Sequence, residues 1–195
     1  MKKLNPKIFQ LASEGLIPLL GLFIWNWSLY FILLFYFFDL IANEAIMNLK
    51  SKKTVRFQGF KKVEWIKYSS ISLFTLLISI IVIHFAMVFI HPGIDFLIEF
   101  SSFWNYEEFG IKQGYFLVPL IVFVSFQQYK MEFLQRAIYR KAVLKEIWNK
   151  HTQALIVIVA FAGLCLGISQ FFVLPEALCV LGIIALSSLY KWRFN

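Results

Sequence analysis

Charge is what this chain has least of. Its 19 basic and 11 acidic residues make up 15% of 195 positions, against roughly 25% in a soluble domain. Cysteine is limited to Cys165 and Cys179, both inside apolar runs. That excludes a disulfide scaffold and reads as two buried small residues. Nine glycines and five prolines are too few for a low-complexity or collagen-like chain. No P-loop, Gly-x-Ser-x-Gly elbow, His-Glu-x-x-His, Cys-x-x-Cys or glycine-rich dinucleotide turn occurs. The chain therefore reads as non-enzymatic, with no catalytic residues, no metal site and no cofactor. It also lacks an internal repeat, which argues against transporter folds built from duplicated halves.

What the chain has in excess is apolar surface. Sixty per cent of it is hydrophobic, it carries 23 Phe, 6 Trp and 8 Tyr, and its mean hydropathy is +0.72. No soluble core of this size hides so much. Apolar stretches of roughly 20 residues cross a bilayer as helices. The pattern predicts an all-α polytopic transmembrane bundle of five or six membrane segments, in one domain. These lie at about 8–25, 27–48, 68–90, 112–128, 152–173 and 176–191, with cytoplasmic basic segments at 49–67, read as a polybasic loop, and 129–150. The N-terminus opens like a signal peptide, but no Ala-x-Ala site follows and the apolar run continues, so the segment reads as retained.

Charge placement sets the expected topology. Read as a single helix, Leu16 to Met47 would be about 48 Å long, well beyond the ~30 Å hydrocarbon core. Trp25-Asn26-Trp27-Ser28 looks instead like an interfacial turn in which Ser28 or Asn26 caps the next helix. With the first two segments as a hairpin, 18 of the 19 Lys and Arg fall on one side. The other side holds Asp95, Glu99, Glu107, Glu108 and Glu176 with Lys112 as its one base. The positive-inside rule then places both termini in the cytoplasm of a bacterial inner membrane protein. Pro18 and Gly21 break the first arm, so it either spans or is re-entrant.

Two further helices are expected outside the spans. After His91-Pro92-Gly93, the stretch IDFLIEFSSFWNYEEF reads as an amphipathic helix on the outer interface. On the inner side, the span from Gly114 has no Pro or Gly after Pro119. It is expected to run on as one long cytoplasmic helix through YKMEFLQRAIYRKAVLKEIWNK, supported by the Glu132–Arg136 and Glu146–Lys150 pairs.

Polar residues within the spans are the candidate site. Asp39 sits roughly 18 Å along its helix from Trp27. Tyr36, Asp39 and Asn43 share a face, with Glu44 just beyond. An intramembrane carboxylate turns to a partner or to water, so this face is either an ion, proton or ligand site or a structural bond. Ser72, Thr75 and Ser79 form a polar line on the next span, as water-path lining or as interhelical glue. His84 and His91, one heptad apart, are too sparse for a metal site and suit interhelical and interfacial hydrogen bonds. His151, beside Lys150, reads as interfacial. Small residues at Ala160, Gly163 and Gly167, and at Gly182, Ala185 and Ser188, give close-packing faces for the monomer or for a homo-oligomer.

The basic segments are candidate contact surfaces. Lys50, Lys52, Lys53, Arg56, Lys61 and Lys62 lie among Phe57, Phe60 and Trp65, and Arg136, Arg140 and Lys141 follow later. Anionic lipid headgroups attract such segments by about 1 kcal/mol per base, and a cytoplasmic protein partner is the alternative. Bases among aromatics also suit nucleic acid, but positive-inside bias already accounts for the charge, so nucleic acid ranks last.

The stretch Gly15-Leu-Ile-Pro18-Leu-Leu-Gly21, then Trp27-Ser28, then Tyr36-Phe37-Phe38-Asp39 resembles a family of small bacterial and archaeal multi-pass membrane proteins known as a domain of unknown function. Its members show Pro-x-x-Gly, a Trp-Ser pair, and an aromatic pair followed by an acid, usually Glu. Here the acid is Asp39, and Phe37 stands where Trp is more usual. The resemblance covers about the first forty residues. It implies that Trp27, Tyr36 and Asp39 belong to a shared core, and it implies no activity. A looser architectural similarity is to the small basic multi-pass proteins that accompany RNA-guided CRISPR effectors in low-GC bacteria. The resulting expectation is a membrane module acting by self-association or through a cytoplasmic partner. An oligomeric ion channel is the alternative, and a membrane-embedded lipid or haem enzyme ranks third.

Overall fold

The computed structural model describes the backbone of residues 6–59, 62–108 and 110–194, and the side chains of 15–59, 63–108 and 110–187. Helices α1 (Pro6–Phe23), α2 (Leu29–Gln58), α3 (Lys62–Ile90) and α4 (Phe96–Asn105) come first. A two-residue hairpin, β1 (Glu107–Glu108) against β2 (Ile111–Lys112), leads into α5 (Gln113–Gln128). A π-helical turn (Tyr129–Leu134) and a 3-10 turn (Ile138–Arg140) connect α5 to α6 (Leu144–Ser169), and α7 (Glu176–Phe194) follows. The protein is all-α in character. Three of its helices, Leu29–Gln58, Val63–Ile90 and Leu144–Ser169, are long and apolar enough to cross a membrane, and the apolar part of α7, Glu176–Ser187, is shorter.

α2 is the axis of the bundle and packs against α1, α3, α4, α5, α6 and α7. Its start is fixed by sequence chemistry. The Ser28 hydroxyl accepts the Phe31 N–H, which satisfies an orphan donor of the first turn, and donates to Glu99 on α4 at 2.8 Å. The turn before it folds Trp27 back on α1, with the Trp27 N–H donating to the Gly21 carbonyl. A Cβ on Gly21 would stand 2.1 Å from the Trp27 ring, so only glycine lets the indole lie there. The Pro18, Gly21, Trp27 and Ser28 pattern is thus one packing unit, with Pro18 fully buried in it. Phe31 and Phe38 extend it by enclosing Phe103 of α4, which is fully buried. Tyr106 closes this end by donating to the Trp25 carbonyl at 2.7 Å. Burial above all, then its contact with Glu108, pushes the Tyr106 phenol above its usual range, so it stays a donor at neutral pH.

Three expectations are corrected. The long helix from Gly114 through residue 150 does not form. α5 widens into the π-helical turn, and Ala137 takes a left-handed φ of 51°, a costly conformation for a residue with a Cβ. The exposed carbonyls are collected by Gln58 of α2, whose amide donates to Tyr139, Arg140 and Ala142. This tertiary clamp outweighs local helix propensity. The polybasic loop at 49–67 is also largely helical. α2 continues to Gln58, Gly59 caps it with φ 74°, and α3 begins at Lys62. The helix expected over residues 94–109 ends at Asn105, because Gly110 with φ 75° turns the chain into the hairpin.

Candidate functional site

Along α2 a seam of residues from Leu29 to Lys50 recurs at spacings of four and three, through Leu33, Tyr36, Leu40, Asn43 and Met47. It is the floor of a cleft. α5 and the π-helical turn supply Ser125, Gln128, Tyr129 and Glu132 as one wall. α6 and α7 supply the other, with His151, Ala154, Ile158 and Phe161 opposite, then Cys165, Cys179 and Ile183. His84 and Met87 of α3 line the Ser28 end. The space measures about 190 Å³. From Leu29 to Lys50 the floor covers about 30 Å, since a helix rises ~1.5 Å per residue.

Most of the lining is aliphatic or aromatic, and several of the polar groups within it are paired. Asn43 donates to the Asp39 carboxylate at 3.1 Å, one turn along α2. At the Ser28 end the Tyr30 hydroxyl lies 3.0 Å from His84 Nε2, while His84 Nδ1 lies 2.8 Å from the Ile80 carbonyl. A carbonyl only accepts, so Nδ1 carries the proton and, in the neutral ring, Nε2 receives the Tyr30 hydroxyl. At the other end Lys50 stands 5.9 Å above the Phe133 ring, in the field of Glu132 and Lys150.

Glu44 stands behind this floor, buried between α2, α3 and α6. His151 Nε2 is 2.6 Å from its Oε2, and Ser72 donates to the same oxygen at 2.7 Å. Asn48 donates to Oε1 at 3.3 Å and accepts from Ser69 at 2.6 Å. His151 is itself 3% exposed and also lines the cleft, so one imidazole joins the carboxylate to the cavity.

The structure therefore divides the expected polar site in two. Tyr36, Asp39, Asn43 and His84 line the cleft, while Glu44 and Ser72 form the buried cluster. Thr75 and Ser79 belong to neither. Each donates to the carbonyl four residues earlier on its own helix, Ile71 and Thr75, so of the line read as water-path lining or interhelical glue Ser72 is the member that bonds across to another helix. His151 is corrected from interfacial to buried. Its signal was present in the sequence, because Leu144, Trp148 and His151 share a face. His91 does sit at a helix end, paired with Glu176 at 3.3 Å.

The basic residues also separate. Lys50 turns into the cleft wall, Lys53 stands 5.2 Å above Tyr139, and Arg140 lies over Phe57 and Tyr139. Lys52, Arg56, Arg136 and Lys141 are exposed at the same end. Lys61 and the Lys62 side chain lie outside the described residues. Of the small-residue faces, Gly182 is used internally, because a Cβ there would meet the Phe161 ring at 2.6 Å. Gly163 and Gly167 face open space. Cys165 and Cys179 are both buried with free thiols that contact one another across α6 and α7. Among the described residues no three His, Cys, Asp or Glu side chains come together as a metal site. Compared with known proteins, the chain matches no family model, no curated protein and no solved structure.

Proposed function

We propose that this chain is a non-enzymatic, multi-pass module of a bacterial inner membrane that holds a lipid-like amphiphile in its central cleft. The observation that carries the reading is the floor of α2. Its cleft-lining seam is as long as the ~30 Å hydrocarbon core, apolar over most of its length and polar towards Lys50. Ligand pockets combine mainly apolar walls with a few placed polar groups, and helix bundles host them between helices. In the proposed orientation the Gly59 end is cytoplasmic, because the bases of the α2 end and the 130–141 segment gather there. An acyl or isoprenoid chain then lies along Leu33, Leu40 and Ile158. Its head group lies near Gln128, Glu132 and Lys50, with the exposed bases around it facing anionic headgroups. The open Gly163–Gly167 face supports self-association through α6.

The test is extraction of the purified, extensively washed protein followed by mass spectrometry of the organic phase. The wild type should release one amphiphile class in stoichiometric amount. Leu40→Trp, which fills the half-buried middle of the floor, should release far less while remaining folded. Equal retention by both proteins, or none by the wild type, overturns the reading.

A second reading, passage of a cation, is favoured by the position of Asp39 and Asn43 partway along the same floor. It predicts ion flux in liposomes that Asp39→Asn lowers severalfold. Flux unchanged by that substitution removes Asp39 from any conduction path.

A further inference from the structure

The α2–α3–α6 interface continues below Glu44 as a column of polar atoms. Towards the Gly59 end, Asn48 and Ser69 form the next level, and Ser51 of α2, Trp148 of α6 and Trp65 of α3 follow. Met47, Val55, Leu144, Trp148, Trp65 and Tyr68 pack together there, and Ser51 lies between Met47 and Val55 on the same stripe of α2. Ser51 is fully buried and Trp148 is 1% exposed. The Ser51 hydroxyl and the Trp65 and Trp148 indole N–H groups are buried without a protein partner. Three such groups in one cluster, each costing about 1–3 kcal/mol if left unsatisfied, mark a place for ordered water. The fourth such atom among the described residues, Trp27 Nε1, sits instead in the aromatic core with Phe31 and Trp25.

We propose that Glu44 and His151 hold an exchangeable proton at the border of the cleft, and that water at Ser51, Trp65 and Trp148 carries protons between this pair and the Gly59 end. The chemistry follows from the contacts. His151 Nε2 faces a carboxylate oxygen, so it carries a hydrogen. A proton taken up at Nδ1 makes the ring an imidazolium beside Glu44. Passing the Nε2 proton to Glu44 then returns a neutral ring, and one proton has crossed it with charge conserved. Histidine suits such a relay because its two ring nitrogens lie on opposite sides of the ring and each can give or take a proton. Asn48 and Ser69 stand between the carboxylate and the lower level and hold it in place by hydrogen bonds, so the water beside them, and not the Asn48 amide, carries the proton. The inference stands whichever molecule occupies the cleft.

Hydrogen–deuterium exchange in lipid nanodiscs, read by NMR on protein with 15N-labelled tryptophan and histidine, tests it. The Trp65 and Trp148 indoles and the His151 ring should exchange at least about ten-fold faster than the Trp27 indole, which is equally partnerless but dry. Ser51→Val, one heavy atom larger and unable to hold water, should slow His151 exchange by about ten-fold and leave Trp27 unchanged, which also reports an intact fold. Exchange at Trp65, Trp148 and His151 as slow as at Trp27 overturns the proposal. So does a Ser51→Val protein whose His151 exchanges like the wild type's. If that variant does not fold, the wild-type comparison of the three indoles decides alone.

Discussion

Replacing His151 by leucine should destabilise the protein by about 3–5 kcal/mol. The substitution leaves the Glu44 carboxylate buried with hydroxyl and amide partners but without the imidazole at 2.6 Å. Removing one member of a buried hydrogen-bonded pair is costly because the other, a carboxylate, stays desolvated and under-satisfied. The double variant Glu44→Leu with His151→Leu should recover most of the loss, since it removes both polar groups and fills the space with apolar side chains of similar volume. Unfolding of the four proteins in mixed micelles under increasing SDS measures the cycle. The expected signature is a large coupling between the two positions, with the double variant more stable than His151→Leu alone. Additive losses would mean that Glu44 draws its stability from Ser72 and Asn48 and that the imidazole at 2.6 Å contributes little.

The residues of this cycle also mark where sequence reasoning stopped. Asp39 and Asn43 were legible because their pairing is local: they are one helical turn apart on one face, and the structure joins them directly. The start of α2 was legible for the same reason, since Ser28 caps within its own turn. Glu44 and His151 are 107 positions apart. Their contact depends on where α6 begins, and that depends on the break at Ala137. Nothing local announces the break. The stretch through Ala137 has good helix formers and favourable charge spacing, and the turn that follows the left-handed residue is held by Gln58 from another helix. The polybasic segment is helical although a dense run of charge suggests a loop. Lys and Arg are good helix formers, and α2 needs no loop until Gly59. Ser72, Thr75 and Ser79 looked alike as a sequence line, yet only Ser72 stands opposite a carboxylate. The other two turn their hydroxyls back to their own helix, as serine and threonine do when no partner faces them. The cleft itself was invisible in sequence. It exists because α5 packs on one flank of α2 while α6 and α7 pack on another, an arrangement that no single stretch encodes.

Trp27→Ala should cost about 3–5 kcal/mol, the usual loss when a buried aromatic ring is deleted from a packed core. Trp27 is 4% exposed, contacts Trp25 and Phe31, and lies against the bare backbone of Gly21. Gly21→Ala in the wild type should cost about 1–3 kcal/mol, because its methyl group would enter the ring's volume and the ring must shift. In a Trp27→Ala protein the same methyl group meets empty space, and alanine is the better helix former by about 1 kcal/mol, so Gly21→Ala should there become neutral or stabilising. The change of sign is the diagnostic result. It would establish that glycine occupies this position for the close approach of an indole rather than for backbone conformation, and that the Pro-x-x-Gly and Trp-Ser elements act as one lock on the α1–α2 turn. A Gly21→Ala penalty of equal size in both backgrounds would place its origin in α1 itself. SDS unfolding monitored by helical circular dichroism separates the two outcomes, because it reads all four proteins without relying on the fluorescence of the tryptophan that is removed.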